Sequence, residues 1–300
     1  MTVAKASPGW LGTLCLACVV ALVALEECRA DGDAGRGAVV FALAGGCGCH
    51  TPEGGPVGAG GRALPTPFGT FYGTNITPDP DTGIGDWSDA EIAAAIRDGY
   101  VRDKGVEAPV MPYALYTGMA ERDLEDLIAY LRSLPPVSRE NKEPDVRLPF
   151  QRLAFWGWRL LFYREVERIG EAPAHGVERG RYLTDHVSIC GDCHTPRNFL
   201  GALNQRMSMA GTEHGPDGHP VPNITPDKAT GIGKWDVSDV TQLLQSGMKP
   251  DFDNVQGLMA DVIDGHGGGP GYSKAPLDDL KAIATYLKSI KPIENLISSD

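Results

Sequence analysis

Cys190-Gly191-Asp192-Cys193-His194 is the stretch on which the reading of this 300-residue chain turns. Two thiols three positions apart, with a histidine directly after the second, suit covalent capture of a haem. The sulfurs add across the two vinyl groups, and the histidine then lies under the iron. A zinc site is the bland reading of the same spacing. A histidine immediately after the second cysteine is poorly placed to join the same tetrahedron.

Much of the surrounding chain occurs twice. Residues about 31–138 match residues about 176–292 at many points. Gly37 precedes Cys47 by ten residues, as Gly180 precedes Cys190. His50-Thr51-Pro52 matches His194-Thr195-Pro196, and Asn75-Ile76-Thr77-Pro78-Asp79 matches Asn223-Ile224-Thr225-Pro226-Asp227. Trp87 stands twelve residues after Asn75 and twenty-four before Met111; Trp235 stands the same distances from Asn223 and Met259.

Each half reads as a short helix, the cysteine site, a long Gly/Pro loop, a helix, a Met-bearing loop and a last helix. The first helix is expected over about 34–44 and 178–187. The middle helix opens at Ser88 with Glu91 three residues later, a capping box; Asp236 and Asp239 stand at the same offset. The last helix carries Leu124, Leu127, Ile128 and Leu131 in one half and Leu277, Leu280, Ile283 and Leu287 in the other. Tyr130 and Tyr286 share a repeat position and read as core packing.

The repeat also assigns the iron ligands. His50 and His194 are the proximal candidates. An iron that only moves electrons needs its sixth position closed as well, and a thioether raises the potential relative to more basic ligand pairs. Met111 and Met259 share one repeat position, whereas Met119 and Met248 have no partner under the repeat. His266 could serve a bis-histidine haem. It lies in the Gly-rich run 265–271, within an eight-residue excess of the second half, and reads as a flexible surface insertion.

The first site departs from the pattern. Cys47-Gly48-Cys49-His50 has one residue between its cysteines. Counting from Gly37 puts Cys47 opposite Cys190, so the missing residue lies between the sulfurs. Gly48 has the freedom to take unusual dihedrals. Two strained thioethers, one thioether through Cys49, or no covalent haem are all open; a bound haem is the favoured reading because Met111 and the rest of the half are intact.

The N-terminus reads as an export signal over residues 1–30. Lys5 precedes an apolar run from Leu11 to Leu25, and Cys28-Arg29-Ala30 supplies small residues for cleavage after Ala30. The alternative is an uncleaved anchor, but the run is shorter than the ~20 residues that span a bilayer. Of seven cysteines, three leave with this segment and four remain, each beside a histidine. The net charge of -12, which cleavage does not change, disfavours nucleic acid and favours partners with basic patches.

Residues 139–175 join the halves and 293–300 form a C-terminal tail. The joining segment starts polar, then packs Phe150, Phe155, Trp156, Trp158, Phe162 and Tyr163 into fourteen residues. So many aromatics must be covered. The expectation is a strap buried between the two halves; the alternative is an interfacial helix on a membrane or a partner subunit.

These residues resemble a known family, the two-haem c-type cytochromes related to the cytochrome subunits of membrane-bound alcohol, sorbitol and gluconate dehydrogenases. The resemblance rests on Arg179-Gly180-x-Tyr182-Leu183, Cys190-x-x-Cys193-His194-Thr195-Pro196-Arg197-Asn198, both Asn-Ile-Thr-Pro-Asp stretches, Gly-Ile-Gly-x-Trp and Met111-Pro112-Tyr113. It implies an all-α fold of two tandem cytochrome c domains with an aromatic-rich linker, and two haem c groups with His/Met ligands. It implies electron passage from a dehydrogenase toward a cytochrome or oxidase of the respiratory chain, in the periplasm or on the outer face of the inner membrane, with a membrane-associated complex as one setting. Some relatives carry three haems; this chain has two candidate sites. The Cys47–Cys49 spacing departs from the family.

No catalytic side chain stands out, so a carrier with no activity of its own is the expectation. The rivals are a haem enzyme, such as a dihaem peroxidase or a thiosulfate-oxidising cytochrome, and an obligate subunit of a dehydrogenase complex. A peroxidase needs an open iron position; a thiosulfate-oxidising relative would offer a cysteine ligand, for which the mature chain has no spare.

Overall fold

The computed structural model describes residues 1–2, 32–146 and 151–298. The expected export signal therefore falls almost wholly outside the described residues, and so does Phe150.

Helix α1, Ala34–Leu43, starts where the Asp33 carboxylate accepts the N–H of Arg36 at 2.7 Å. It buries Val40, Phe41 and Leu43 on one face. Helix α2, Asp89–Asp98, opens with the Ser88/Glu91 capping box and closes on Gly99 in the left-handed region. A short helix α3, Tyr113–Tyr116, leads to α4, Glu121–Ser133, which ends before Pro135-Pro136. After α5, Gln151–Phe162, the order recurs as α6 (Gly176–His186), α7 (Cys190–His194), α8 (Val237–Ser246), α9 (Leu258–Asp264) and α10 (Leu277–Ser289).

Helices α1 and α4 cross at Gly37, where a side chain would overlap the Asp126 carbonyl. Helices α6 and α10 cross at Gly180, where it would overlap the Ala282 carbonyl. In both places the glycine lets two backbones touch, and a tyrosine, Tyr130 or Tyr286, packs its Cβ beside it. One contiguous core runs through both halves, including Phe41, Leu124 and Ile128 with Leu183, Leu280 and Ile283. Phe41 and Ile283 are completely buried; truncating Phe41 to alanine would cost about 3–5 kcal/mol.

The chain is mostly helical rather than wholly so. The first Gly/Pro loop folds back as a hairpin, β1 (Ala63–Thr66) with β2 (Gly69–Tyr72), in register Ala63 to Tyr72, and β2 also pairs Gly69 with Val146 of β5 (Asp145–Val146). A second small ladder pairs β3 (Tyr100–Val101) with β4 (Gly105–Val106). These strands close a minor cluster of Phe71, Ala108 and Val146.

The aromatic strap is not buried between the halves. It forms α5 and lies on the first half, with Phe155 6.3 Å from Phe71 and Trp158 6.2 Å from Tyr113. The Arg159 guanidinium sits 3.8 Å over the Tyr163 ring. The reason is helical phase. Phe155, Trp158 and Phe162 fall on one face, while Leu153, Trp156 and Leu160 repeat the same spacing on the other. Covering one set leaves the other outside: Leu153 is 71% exposed, Trp156 50%, Leu160 79% and Leu161 58%. The segment after the strap caps α4, the carbonyls of Ile169 and Gly170 accepting the N–H groups of Glu121 and Arg122.

Candidate functional site

The second cysteine motif is one α-helical turn, α7. Ile189 enters it at φ 42°, a left-handed conformation rare for a β-branched residue. That bend turns the chain sharply from α6 into the motif. His194 is then held by its Nδ1, which donates to the Pro222 carbonyl at 2.8 Å. A carbonyl only accepts, so Nδ1 carries the proton and the Nε2 lone pair is left for a metal. Burial lowers the imidazole pKa, which keeps the ring neutral, and the Pro222 bond works against that shift.

The first motif is built in the same frame but tighter. Gly45, Gly46 and Cys47 all have positive φ, so the segment from Gly45 to His50 is two short 3₁₀ pieces joined by a left-handed kink at Gly46 and Cys47. Gly46 stands where Ile189 stands, directly before the first cysteine. The missing residue is thus accommodated by the kink, which places Cys47 itself at φ 47°. Nδ1 of His50 donates to the Thr74 carbonyl at 2.8 Å, the counterpart of the Pro222 bond. Here too burial lowers the imidazole pKa.

Those carbonyls stand directly before the two Asn-Ile-Thr-Pro-Asp stretches. Asn75 follows Thr74, and its side-chain amide donates to Thr82 Oγ1 at 3.1 Å and to the Val137 carbonyl at 2.7 Å. Its oxygen accepts the Thr77 N–H at 3.0 Å. Asn223 does the same with Thr230 (3.0 Å), the Ile293 carbonyl (2.8 Å) and the Thr225 N–H (2.9 Å). Each buried asparagine ties the loop that orients a histidine to the chain just beyond the last helix of its half. Residues 293–298, expected as a tail, take part: Asn295 donates to Thr230 Oγ1 and to the Ala210 carbonyl.

Two further bonds repeat. Thr51 Oγ1 accepts the Gly58 N–H and Thr195 Oγ1 the Met209 N–H, at 3.1 and 3.0 Å. The carbonyls of His50 and His194 accept the N–H groups of Gly60 and Gly211. Met209 adopts φ 62° where the first half has Gly58 at φ 71°.

Burial pushes the Cys47 and Cys190 thiols up to about 12, and raises Cys193 as well. Cys190 feels in addition the Asp185 carboxylate. These sulfurs are held as S–H groups. Cys49 is exposed, and its thiol adds to the electrostatics that raise Cys193.

Met111 is partly buried in the turn before α3, its N–H donating to the Ala108 carbonyl at 3.1 Å. Met259 is partly buried in the first turn of α9 and packs on the main core. Each stands ahead of a tyrosine: Tyr116, whose phenol feels the Cys47 and Cys49 thiols, and Tyr272, which lies beside Cys190 and Ser188. Burial raises both phenol pKa values. Sequence reasoning passed over this pair, although each precedes Tyr130 or Tyr286 by fourteen residues. Met119 fills the core at 1% exposure.

His266 does not sit on a flexible insertion. Its ring lies against Gly48 between the first two cysteines, and its Nδ1 is 3.5 Å from Arg62. His186, another residue without an assigned role, bonds the Leu115 carbonyl at 2.9 Å and packs on Gly118. Among the described residues no three His, Cys, Asp or Glu side chains form a cluster able to hold a bare metal ion, so the zinc reading has no donor set.

Two thiols and a carbonyl-anchored imidazole with a free Nε2, presented on one turn, are donors that fit a covalently attached haem. The cytochrome c family profile matches residues 34–135. Over 271 residues the chain is 40% identical to a dihaem c-type cytochrome of Cereibacter sphaeroides, covering 88% of each chain. It is 37% identical to the cytochrome c subunit of a quinone-dependent alcohol dehydrogenase of Gluconacetobacter polyoxogenes, over 86% of this chain and 56% of that one. It is 34% identical to the gluconate 2-dehydrogenase cytochrome c subunit of Pantoea cypripedii, over 93% of this chain and 63% of that one. The chain belongs to the cytochrome c family, among the dihaem c-type cytochromes and the cytochrome c subunits of dehydrogenases. It spans less than two thirds of the length of the two dehydrogenase subunits. Among the described residues no helix is long and apolar enough to cross a membrane.

Proposed function

We propose that this chain is an exported two-haem electron carrier that takes electrons from a dehydrogenase and delivers them to a cytochrome or oxidase of the respiratory chain. The observation that carries the reading is the pair of imidazoles, His50 and His194, each anchored through Nδ1 to a backbone carbonyl at 2.8 Å beside two cysteines. A haem bound there supplies one-electron iron chemistry. The protein supplies attachment through Cys190 and Cys193 and through Cys47 and Cys49, proximal ligation through His194 and His50, and distal ligation through Met259 and Met111. In this reading residues 31–138 and 176–292 are the two cytochrome c domains. A redox titration with haem quantitation tests the proposal: two one-electron waves and two haems per chain are expected, and a single haem would refute the two-site reading.

A second observation favours work as a docked subunit. The stripe Leu153, Trp156, Leu160 and Leu161 is exposed on α5, flanked by Arg152 and Arg164. A contiguous apolar stripe of this kind marks an interaction surface. It is the contact face expected for a dehydrogenase subunit. Co-purification of the chain with a large catalytic subunit, abolished by Leu160→Lys, would support it; co-purification unaffected by that change would refute the assignment of the face.

A further inference from the structure

The eight residues by which the second half exceeds the first are spent at one place. Met111 reaches Tyr116 in five residues, and Met259 reaches Tyr272 in thirteen. Most of the excess falls in the loop 265–271, which leaves α9 at Gly265, whose N–H donates to the Asp261 carbonyl at 2.8 Å, and turns where the Gly269 N–H donates to the His266 carbonyl at 2.9 Å. It is applied to the first cysteine turn. A Cβ at Gly46 would stand 3.2 Å from the Pro270 carbonyl oxygen, and one at Gly267 would stand 2.8 Å from Thr51 Cγ2. At Gly48 a Cβ would overlap the His266 ring itself.

The second motif is covered by its own half. Gly191 is buried, and a Cβ there would meet Met209 and Thr195 at ordinary contact distance. The first motif is also drawn inward, so that a Cβ at Gly73 would overlap the Cys49 carbonyl; its counterpart in the second half, directly before Pro222, is Val221, which carries a branched side chain. The turn that lacks a residue is therefore the turn that gains an imidazole from the other half.

We propose that His266 is a positioning residue for the first attachment turn. Its ring occupies the space over Gly48 and holds Cys47 and Cys49 in the kinked geometry from which both thiols are to reach the porphyrin. Each attachment is an addition. The S–H bond breaks, sulfur bonds the inner vinyl carbon and hydrogen goes to the terminal one, so no oxidant or reductant is consumed. The proposal rests on the two-haem reading.

The test is intact mass and haem-peptide mapping of the full chain matured in a host that attaches c-type haem. The unaltered protein is expected to carry two haems; one haem would overturn the two-haem reading and this proposal with it. His266→Ala is expected to lower attachment at Cys47 and Cys49 at least twofold while the Cys190–Cys193 peptide stays fully loaded. His266→Phe, which keeps a ring, is expected to retain attachment. A chain with one glycine inserted between Gly48 and Cys49 is expected to load equally with His266 or with alanine at 266. Two haems in the unaltered protein with undiminished loading at Cys47 and Cys49 in His266→Ala would overturn the proposal alone. Equal loss at both sites would overturn it too, since that marks a general folding role. If His266→Ala does not accumulate, Gly48→Ala, which displaces the ring, is read the same way.

Discussion

The Tyr182 hydroxyl donates to the Asp123 carboxylate at 2.7 Å and accepts the N–H of Ala120 at 3.0 Å. Tyr182 belongs to α6 of the second half, while Ala120 and Asp123 begin α4 of the first. One buried phenol therefore satisfies an otherwise open N–H at a helix start and joins the halves. Burial raises the Asp123 pKa, partly offset by the Tyr182 bond. Tyr182→Phe leaves both groups without a partner and should cost about 1–3 kcal/mol in denaturant unfolding. Tyr286→Phe loses only a 3.3 Å contact to Asp185 and should cost less.

Asn75 and Asn223 are expected to be as important as the histidines they serve. Asn223→Ala removes bonds to Thr230, Thr225 and Ile293 and frees the loop that presents the Pro222 carbonyl. A loss of about 1–3 kcal/mol is expected. The Soret circular dichroism should change with it, because the His194 ring loses its fixed orientation. An unaltered spectrum would separate the loop from the ligand.

Met111→Ala and Met259→Ala should each remove the near-infrared absorption of one thioether-to-iron bond and lower one of the two reduction potentials. Persistence of the band at full intensity in either variant would reassign that ligand.

Acid should destabilise the fold through Asp79 and Asp227. Thr82 and Thr230 donate to these carboxylates from side chain and backbone and hold both pKa values below the usual one. The unfolded chain takes up these protons first. The stabilisation is therefore complete above the ordinary carboxylate pKa of 3.8 and is lost as pH falls from there through the lowered folded values. Asp79→Asn and Asp227→Asn should flatten the acid limb of a stability–pH curve and leave its neutral part nearly level.

Leu160→Lys should leave stability within about 0.5 kcal/mol, since the side chain is 79% exposed. Any change it makes in complex formation then reports on the surface alone.

Local pattern carried most of the fold into view. The capping box at Ser88, the apolar stripe of α4 and the Gly37 and Gly180 crossings are readable because each is set within a few residues. The compressed first turn was readable too, from a count. What stayed hidden depended on distant partners. Nothing near His266 announces that its ring meets a glycine more than two hundred residues away. The hairpin at Ala63–Tyr72 lacked a strong alternating pattern, with Pro65 inside it. The strap is a different case. Its two interleaved triplets stand in the sequence, and helical phase, not the number of aromatics, decides which of them is covered.

The asparagine latches impose an order in time. Asn75 ties to Val137, 62 residues later, and Asn223 to Ile293, 70 residues later. A chain made from its N-terminus holds each histidine loop untied until the far end of that half exists. The first loop can shut while the second half is still being synthesised. The second must wait for residues beyond α10. Each turn thus stays untied until the far end of its half has emerged, and the first is able to close before the second.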